Sequence, residues 1–173
     1  LNTSEYIFTG NFSNNMKNGK GMLVYKKKLS NRIEIIHGKW INNKICIDYD
    51  TSLRYSGGDF YLGKINNKLM KHGHGVYNLG INTIDANWKN DTIDTSAKDA
   101  IMKIPNGETC IGQFIQEGLF FYLHGKITIK YSNDDHLGRD TMTSFFDRGI
   151  QYGKYHEVYR SGISVEGSYK DGK

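Results

Sequence analysis

Near its start the chain reads Phe8-Thr9-Gly10-Asn11-Phe12, then, after a short turn, Gly19-Lys20-Gly21-Met22-Leu23-Val24-Tyr25. Side chains alternate across a strand, so Phe8, Gly10 and Phe12 share one face. A Gly between two aromatics leaves a slot where a neighbouring side chain or backbone can come close. The second segment alternates too and opens with Gly19 and Gly21 on one face. Joined by a loop over Ser13–Asn18, the two segments make a β-hairpin of about 20 residues. Asn and Gly populate such a loop because they tolerate positive φ.

The first phrase returns along the chain. It reads Ile36-His37-Gly38-Lys39-Trp40, Tyr61-Leu62-Gly63-Lys64-Ile65, Cys110-Ile111-Gly112-Gln113-Phe114 and Val165-Glu166-Gly167-Ser168-Tyr169. Weaker copies at Ile84–Trp88 and Met142–Phe146 put Ala86 and Ser144 in the Gly place. The Gly-equivalent positions are spaced by 28, 25, 23, 26, 32 and 23 residues. A near-fixed period of this size marks a repeat array. A lone hairpin is marginal in water, whereas stacked hairpins bury a continuous spine. The 12 Tyr, 8 Phe and 2 Trp suit that spine. The expected fold is therefore all-β, an elongated repeat array of stacked antiparallel β-hairpins in a twisted sheet. Its spine should hold Phe8, Phe12, Trp40, Tyr61, Trp88, Phe114, Phe146 and Tyr169. Its repeat glycines are Gly10, Gly19, Gly21, Gly38, Gly63, Gly73, Gly75, Gly112, Gly153 and Gly167.

The pattern resembles the MORN repeat (membrane occupation and recognition nexus): an aromatic-x-Gly-x-aromatic, a turn, then Gly-x-Gly and a strand. Phe8 to Tyr25 follows it position by position, with Asn15 where a Gly is usual. Tyr61 to Tyr77 follows it with one extra turn residue and ends His72-Gly73-His74-Gly75-Val76-Tyr77. Gly153-Lys154-Tyr155 and His124-Gly125-Lys126-Ile127 keep one Gly of the second motif, and the copies at Gly38 and Ala86 lack it. The resemblance spans residues 1–173 as a single domain of about six to seven degenerate repeats. The last copy, Val165–Lys173, stops in mid-repeat, which reads as a piece of a longer protein.

Composition narrows the class. At 173 residues with one Pro and 20 Gly, the chain suits one array with many tight turns. No apolar run approaches 18 residues, so no helical membrane span is expected. Abundant Asn, Lys and Ile, with doublets such as Asn14-Asn15, Asn42-Asn43 and Asn66-Asn67, fit an AT-rich genome. Charge is uneven. Residues 1–86 hold 12 Lys/Arg against 6 Asp/Glu, a net +6; residues 87–173 hold 11 against 12, a net −1. Lys26, Lys27, Lys28 and Arg32 form the densest basic cluster. It is either a solvated hairpin loop or a weak contact for anionic lipid. No helix-turn-helix, zinc-finger or ribonucleoprotein motif supports a nucleic-acid partner.

Three stretches break the repeat phase: Cys46–Gly58, Asp94–Gly107 and the polar Tyr131–Thr141. Within the second, Asp94 to Met102 reads as one or two helical turns, N-capped by Asp94, Thr95 or Ser96. Insertions in an array collect on one face, often the binding face.

No catalytic constellation stands out. His72, His74 and His124 lack the further ligands of a structural zinc site. Asp134, Asp135 and His136 lie in a polar loop and are expected to be solvated and unperturbed. Cys46 and Cys110 have neither metal nor redox spacing and read as two reduced, semi-buried residues. No nucleophile motif occurs, and Gly19-Lys20-Gly21 opens a strand where a phosphate loop would open a helix. No cofactor is expected.

The resemblance thus implies a non-catalytic module for protein interaction or scaffolding, with a protein partner or another copy of itself. MORN arrays also precede the catalytic domains of SET-domain lysine methyltransferases and phosphatidylinositol phosphate kinases, which implies a regulatory appendage as the alternative; the family name implies anionic-membrane binding as a third. The implied location is cytoplasmic, with cytoskeletal or membrane association, or nuclear for a SET-domain parent.

Overall fold

A computed structural model describes residues 1–27, 32–97, 99–118 and 120–170. Lys28, Lys98 and the last three residues of the terminal repeat copy lie outside the described residues. The chain divides into two compact units, one of Leu1–Gly80 with Trp88–Asp91, the other of Ile81–Asn87 with the residues from Thr92 onward. Both are all-β and antiparallel, and no helix occurs among the described residues.

The first unit contains β1 (Tyr6–Ser13), β2 (Met16–Tyr25), β3 (Ile33–Ile41), β4 (Lys44–Ile45), β5 (Thr51–Tyr55), β6 (Phe60–Ile65) and β7 (Lys71–Leu79). They are ordered β1-β2-β3-β5-β6-β7, with the short β4 on β3. The second unit contains most of β8 (Asn82–Lys89), then β9 (Thr92–Ile93), β10 (Ala100–Lys103), β11 (Thr109–Glu117), β12 (Phe120–Lys130), β13 (Arg139–Asp147), β14 (Ile150–Tyr159) and β15 (Ser164–Tyr169). Here the order is β8-β10-β11-β12-β13-β14-β15, with β9 on β8.

The turns are tighter than the sequence suggested. Between β1 and β2 only Asn14 and Asn15 turn, at φ 51° and 58°, where a loop over Ser13–Asn18 was expected. Asn42-Asn43, Asn90-Asp91 and Arg148-Gly149 repeat this pair of positive φ values. Two consecutive left-handed residues match the twist of a two-residue hairpin, and Asn and Asp reach that conformation more cheaply than most residues. Two of the Asn doublets are thus turn chemistry.

Each long hairpin carries the same irregularity. Gly10 pairs with Gly21 but Phe12 with Lys17, so β2 has two extra residues between those pairs. The same surplus falls on β7 (Gly63 with Gly75, Ile65 with Lys71), on β12 (Gly112 with Ile127, Gln113 with His124) and on β14 (Thr143 with His156, Phe145 with Tyr152). A left-handed Gly lies inside each bulge: Gly19, Gly73, Gly125 and Gly153, at φ 101°, 72°, 68° and 68°. The two glycines of the Gly-x-Gly motif therefore serve different ends. The first supplies the bend. The second, Gly21 or Gly75, leaves room for a ring: a Cβ there would lie 2.3 Å from Phe8 Cζ or 2.2 Å from the Tyr61 hydroxyl.

Six of the eight spine residues are buried: Phe8, Trp40, Tyr61, Trp88, Phe114 and Phe146. Phe12 corrects the expectation, being 46 % exposed. It lies on β1, which has a full-length strand beside it on one side only, and its ring meets Phe8 edge-on at 5.4 Å. Tyr169, on the terminal β15, is half-buried for the same reason. Asp94 corrects another. Its carboxylate accepts from the Ser96 backbone N–H (3.1 Å) and hydroxyl (2.6 Å), a local turn, and Ala100–Lys103 is a strand. Short polar side chains compete with the helix through such local bonds.

Candidate protein-interaction surface

The buried face decides which side chains are left outside. In the first unit Lys17 and Lys71 occupy equivalent places, and both are buried. Lys17 Nζ lies 4.6, 5.3 and 4.8 Å from the ring centres of Tyr6, Phe8 and Trp40. Lys71 Nζ lies 5.4, 4.6 and 5.2 Å from those of Tyr55, Tyr77 and Trp88. A cation over aromatic faces is attracted by their quadrupoles, which offsets part of its lost hydration. The backbone of each lysine is clamped by the following hairpin turn. The Lys17 N–H donates to Asn43 Oδ1 at 2.8 Å and the Asn43 N–H donates to the Lys17 carbonyl at 3.1 Å. Asp91 makes the same two bonds to Lys71, at 2.8 and 3.0 Å, and adds an ion pair at 3.2 Å. The Trp40 indole donates to the Gly21 carbonyl at 3.4 Å and the Trp88 indole to that of Gly75 at 2.9 Å. Sequence reading missed this clamp; the signal was the Met-Lys pair directly after each turn, at Met16-Lys17 and Met70-Lys71.

These lysines and rings face inward, so alternate residues make up an outer face. Strand register lines them up across the first unit. One row runs Ile7, Val24, Ile35, Arg54, Phe60, Asn78; the next runs Thr9, Met22, His37, Ser52, Leu62, Val76. Beside them Lys20 and Lys39 stand directly opposite each other. Like charges in that position repel. Lys39 is held over the Tyr49 ring at 4.0 Å, and its ammonium is stabilised by a hydrogen bond with the Tyr49 hydroxyl, which raises its pKa. Lys64 is paired with Asp50 at 3.2 Å. Among the described residues no carboxylate stands in either row.

In the second unit the outer face is aromatic. Lys126, Phe145 and Tyr152 are register neighbours on β12, β13 and β14, and the two rings lie 6.2 Å apart. Phe145 is 39 % exposed, Tyr152 44 % and Phe120 68 %. A shallow groove is lined by Phe145, Lys154, His156, Glu166 and Ser168, with His156 3.2 Å from Glu166.

The polar loop of this unit departs from expectation. Asp135 is not solvated. The Arg139 side chain approaches it at 2.7 Å and the Arg139 backbone N–H donates at 2.9 Å. These bonds hold its carboxyl at a pKa of about 2, below the ordinary 3.8. Arg139 stacks on Tyr131 at 3.9 Å, and the Tyr131 and Tyr159 hydroxyls donate to Glu157 at 3.4 and 3.0 Å. Burial pushes the Tyr131 hydroxyl up to about 12. The network closes the loop on itself.

The remaining sequence candidates stay apart. His72 and His74 are exposed, and His124 lies 3.4 Å from Asp147. Among the described residues no three His, Cys, Asp or Glu are placed to hold a metal. Cys110 is buried, which raises its thiol pKa, and Cys46 is half-buried; both are free. Of the basic cluster, Lys26 donates its ammonium to the Thr3 carbonyl, which ties it to the first hairpin, and Arg32 is exposed. No helix among the described residues is long and apolar enough to cross a membrane. No family model matches the chain, and no curated protein matches it.

Proposed function

We propose that this chain is a non-catalytic protein-interaction module of the MORN-repeat type. The observation that carries the reading is the exposed aromatic residues of the second unit: Phe145 and Tyr152 stand open to solvent as register neighbours, with a shallow groove beside Phe145, and Phe120 is exposed at the tip of the β11–β12 hairpin. Rings placed outside a sheet whose other face already buries Phe114 and Phe146 contribute nothing to that core. Aromatic clusters of this kind supply the anchors of protein interfaces.

The test is a variant with Phe120, Phe145 and Tyr152 all changed to Ser. Proteins retained from a native lysate by the wild type and by the variant are compared after the two are shown to melt alike. A discrete set of proteins lost from the variant supports the reading. Identical retention would refute it.

A further inference from the structure

From the outer face of the first unit we infer a second docking site, one that takes an acidic amphipathic helix lying across the strands; this rests on the interaction-module reading above. Its floor is largely apolar, with His37 and Ser52 between Met22 and Leu62: Val24, Ile35, Met22, Phe60 and Val76 are half-buried, and Leu62 and Ile7 stand higher at 47 % and 40 % exposure. One flank is basic. Lys20 and Lys39 border one side, and Arg54 stands within the floor, between Ile35 and Phe60; among the described residues Lys20 and Arg54 have no carboxylate partner. Lys20 opposite Lys39 is a repulsive pair that a bound carboxylate would relieve. Charge complementarity thus calls for an apolar stripe with an acidic edge.

Geometry selects a helix. A sheet face offers no backbone N–H or C=O, so an extended segment laid on it would leave its own peptide groups facing apolar side chains. A helix satisfies those groups internally. Rows on one face recur about every 6.7 Å along a strand, so three rows span about 13 Å. That is close to the roughly 10–12 Å width of a helix with its side chains. Six strands at about 4.8 Å spacing give about 24 Å across the rows, the length of about 16 helical residues. A membrane surface fits less well. Interfacial insertion sinks bulky side chains about 5–10 Å deep, and most of the apolar side chains of this floor are half-buried.

The experiment titrates the protein into labelled synthetic peptides at physiological salt and reads fluorescence anisotropy. The probe is a peptide of about 18 residues with Leu at i, i+3, i+4 and i+7 and Glu along one edge. Controls are a scrambled peptide of the same composition, a Lys-for-Glu counterpart, and vesicles of phosphatidylcholine with phosphatidylserine. The acidic helix should bind at least about tenfold tighter than either control peptide. That preference should be lost in Lys20→Glu/Lys39→Glu and in Leu62→Asp, each checked by melting, and kept in Phe145→Ser. Equal binding of the three peptides, no binding of any, or binding that survives both face variants would overturn this site and leave the module reading standing. Vesicle binding that is lost in the same variants would overturn both.

Discussion

The two units solve one packing problem differently. In the first, a ring lies over a pair of facing glycines: Phe8 over Gly10 and Gly21, Tyr61 over Gly63 and Gly75. In the second, the residue two before Gly112 is Cys110, and its partner strand carries Ile127, fully buried, where the first unit has Gly. A Cβ on Gly112 would meet Ile127 Cδ1 at 2.6 Å, so the aliphatic side chain occupies the space the ring occupies elsewhere. At the last hairpin the ring comes from the other strand, with Tyr155 over Gly167. Volume is conserved while its source moves, which is how cores tolerate substitution. A repeat can therefore lose its sequence signature and keep its register, its left-handed bulge glycine and its partner aromatic. Gly19 faces Trp40, Gly125 faces Phe146 and Gly153 faces Tyr169 in both kinds of hairpin.

The comparison breaks most sharply at the rings. Tyr61→Ala should cost about 3–5 kcal/mol, as for a large aromatic truncated in a core, whereas Cys110→Ala should cost about 1 kcal/mol, near one buried methylene. Urea melts of the two variants decide it, and equal losses would erase the distinction. Next comes the slot itself. A Cβ on Gly63 would lie 2.4 Å from the Gly75 Cα, and one on Gly57 meets nothing within 4 Å. Gly63→Val should cost about 1–3 kcal/mol or more, and Gly57→Val should stay within about 0.5 kcal/mol. Matching melting temperatures would mean that the backbones do not need to touch.

Within the first unit, Asp91→Asn converts the Lys71 clamp into the Lys17 clamp, since Asn43 makes the same backbone bonds. The Asp91 side chain is 45 % exposed, so the loss should be at most about 1 kcal/mol. A larger loss would show that the ion pair, rather than the aromatic cage, holds the lysine. The smallest effect is pH-dependent and belongs to the second unit. The Asp135 carboxyl is depressed from 3.8 to about 2, so its contribution is complete above about pH 4 and disappears as pH falls through 2. Asp135→Asn should flatten that part of the melting-temperature profile, and an unchanged profile would remove Asp135 from acid stability.

Much of the buried face was legible in the sequence, because period-two alternation around Gly10, Gly63, Ala86, Gly112 and Ser144 names the residues that share it. The left-handed turn residues were legible in kind, since Asn and Gly were expected there, but the Asn doublets were read as composition. The outer rows were not legible. Each bulge inserts two residues into one strand, so register across strands cannot be counted along the chain. The lysine cages were hidden for a related reason: Tyr6, Phe8 and Trp40 meet at Lys17 only after three strands are placed. Asp135 looked solvated because a polar loop gives no sign that Arg139 folds back onto it. Phe12 looked buried because alternation names a face and not what covers it.

The most direct test of the ring-and-glycine account is a double-mutant cycle that carries the second unit's solution into the first. Gly75→Ile alone places a side chain 2.2 Å from the Tyr61 hydroxyl and should be severely destabilising. Tyr61→Cys alone should lose the ring and leave a void. Combined, the two changes recreate the Cys110 and Ile127 arrangement. The double variant should be more stable than Gly75→Ile alone, with a coupling of about 1–3 kcal/mol. Additive losses would show that ring and glycine are independent, which would contradict the account.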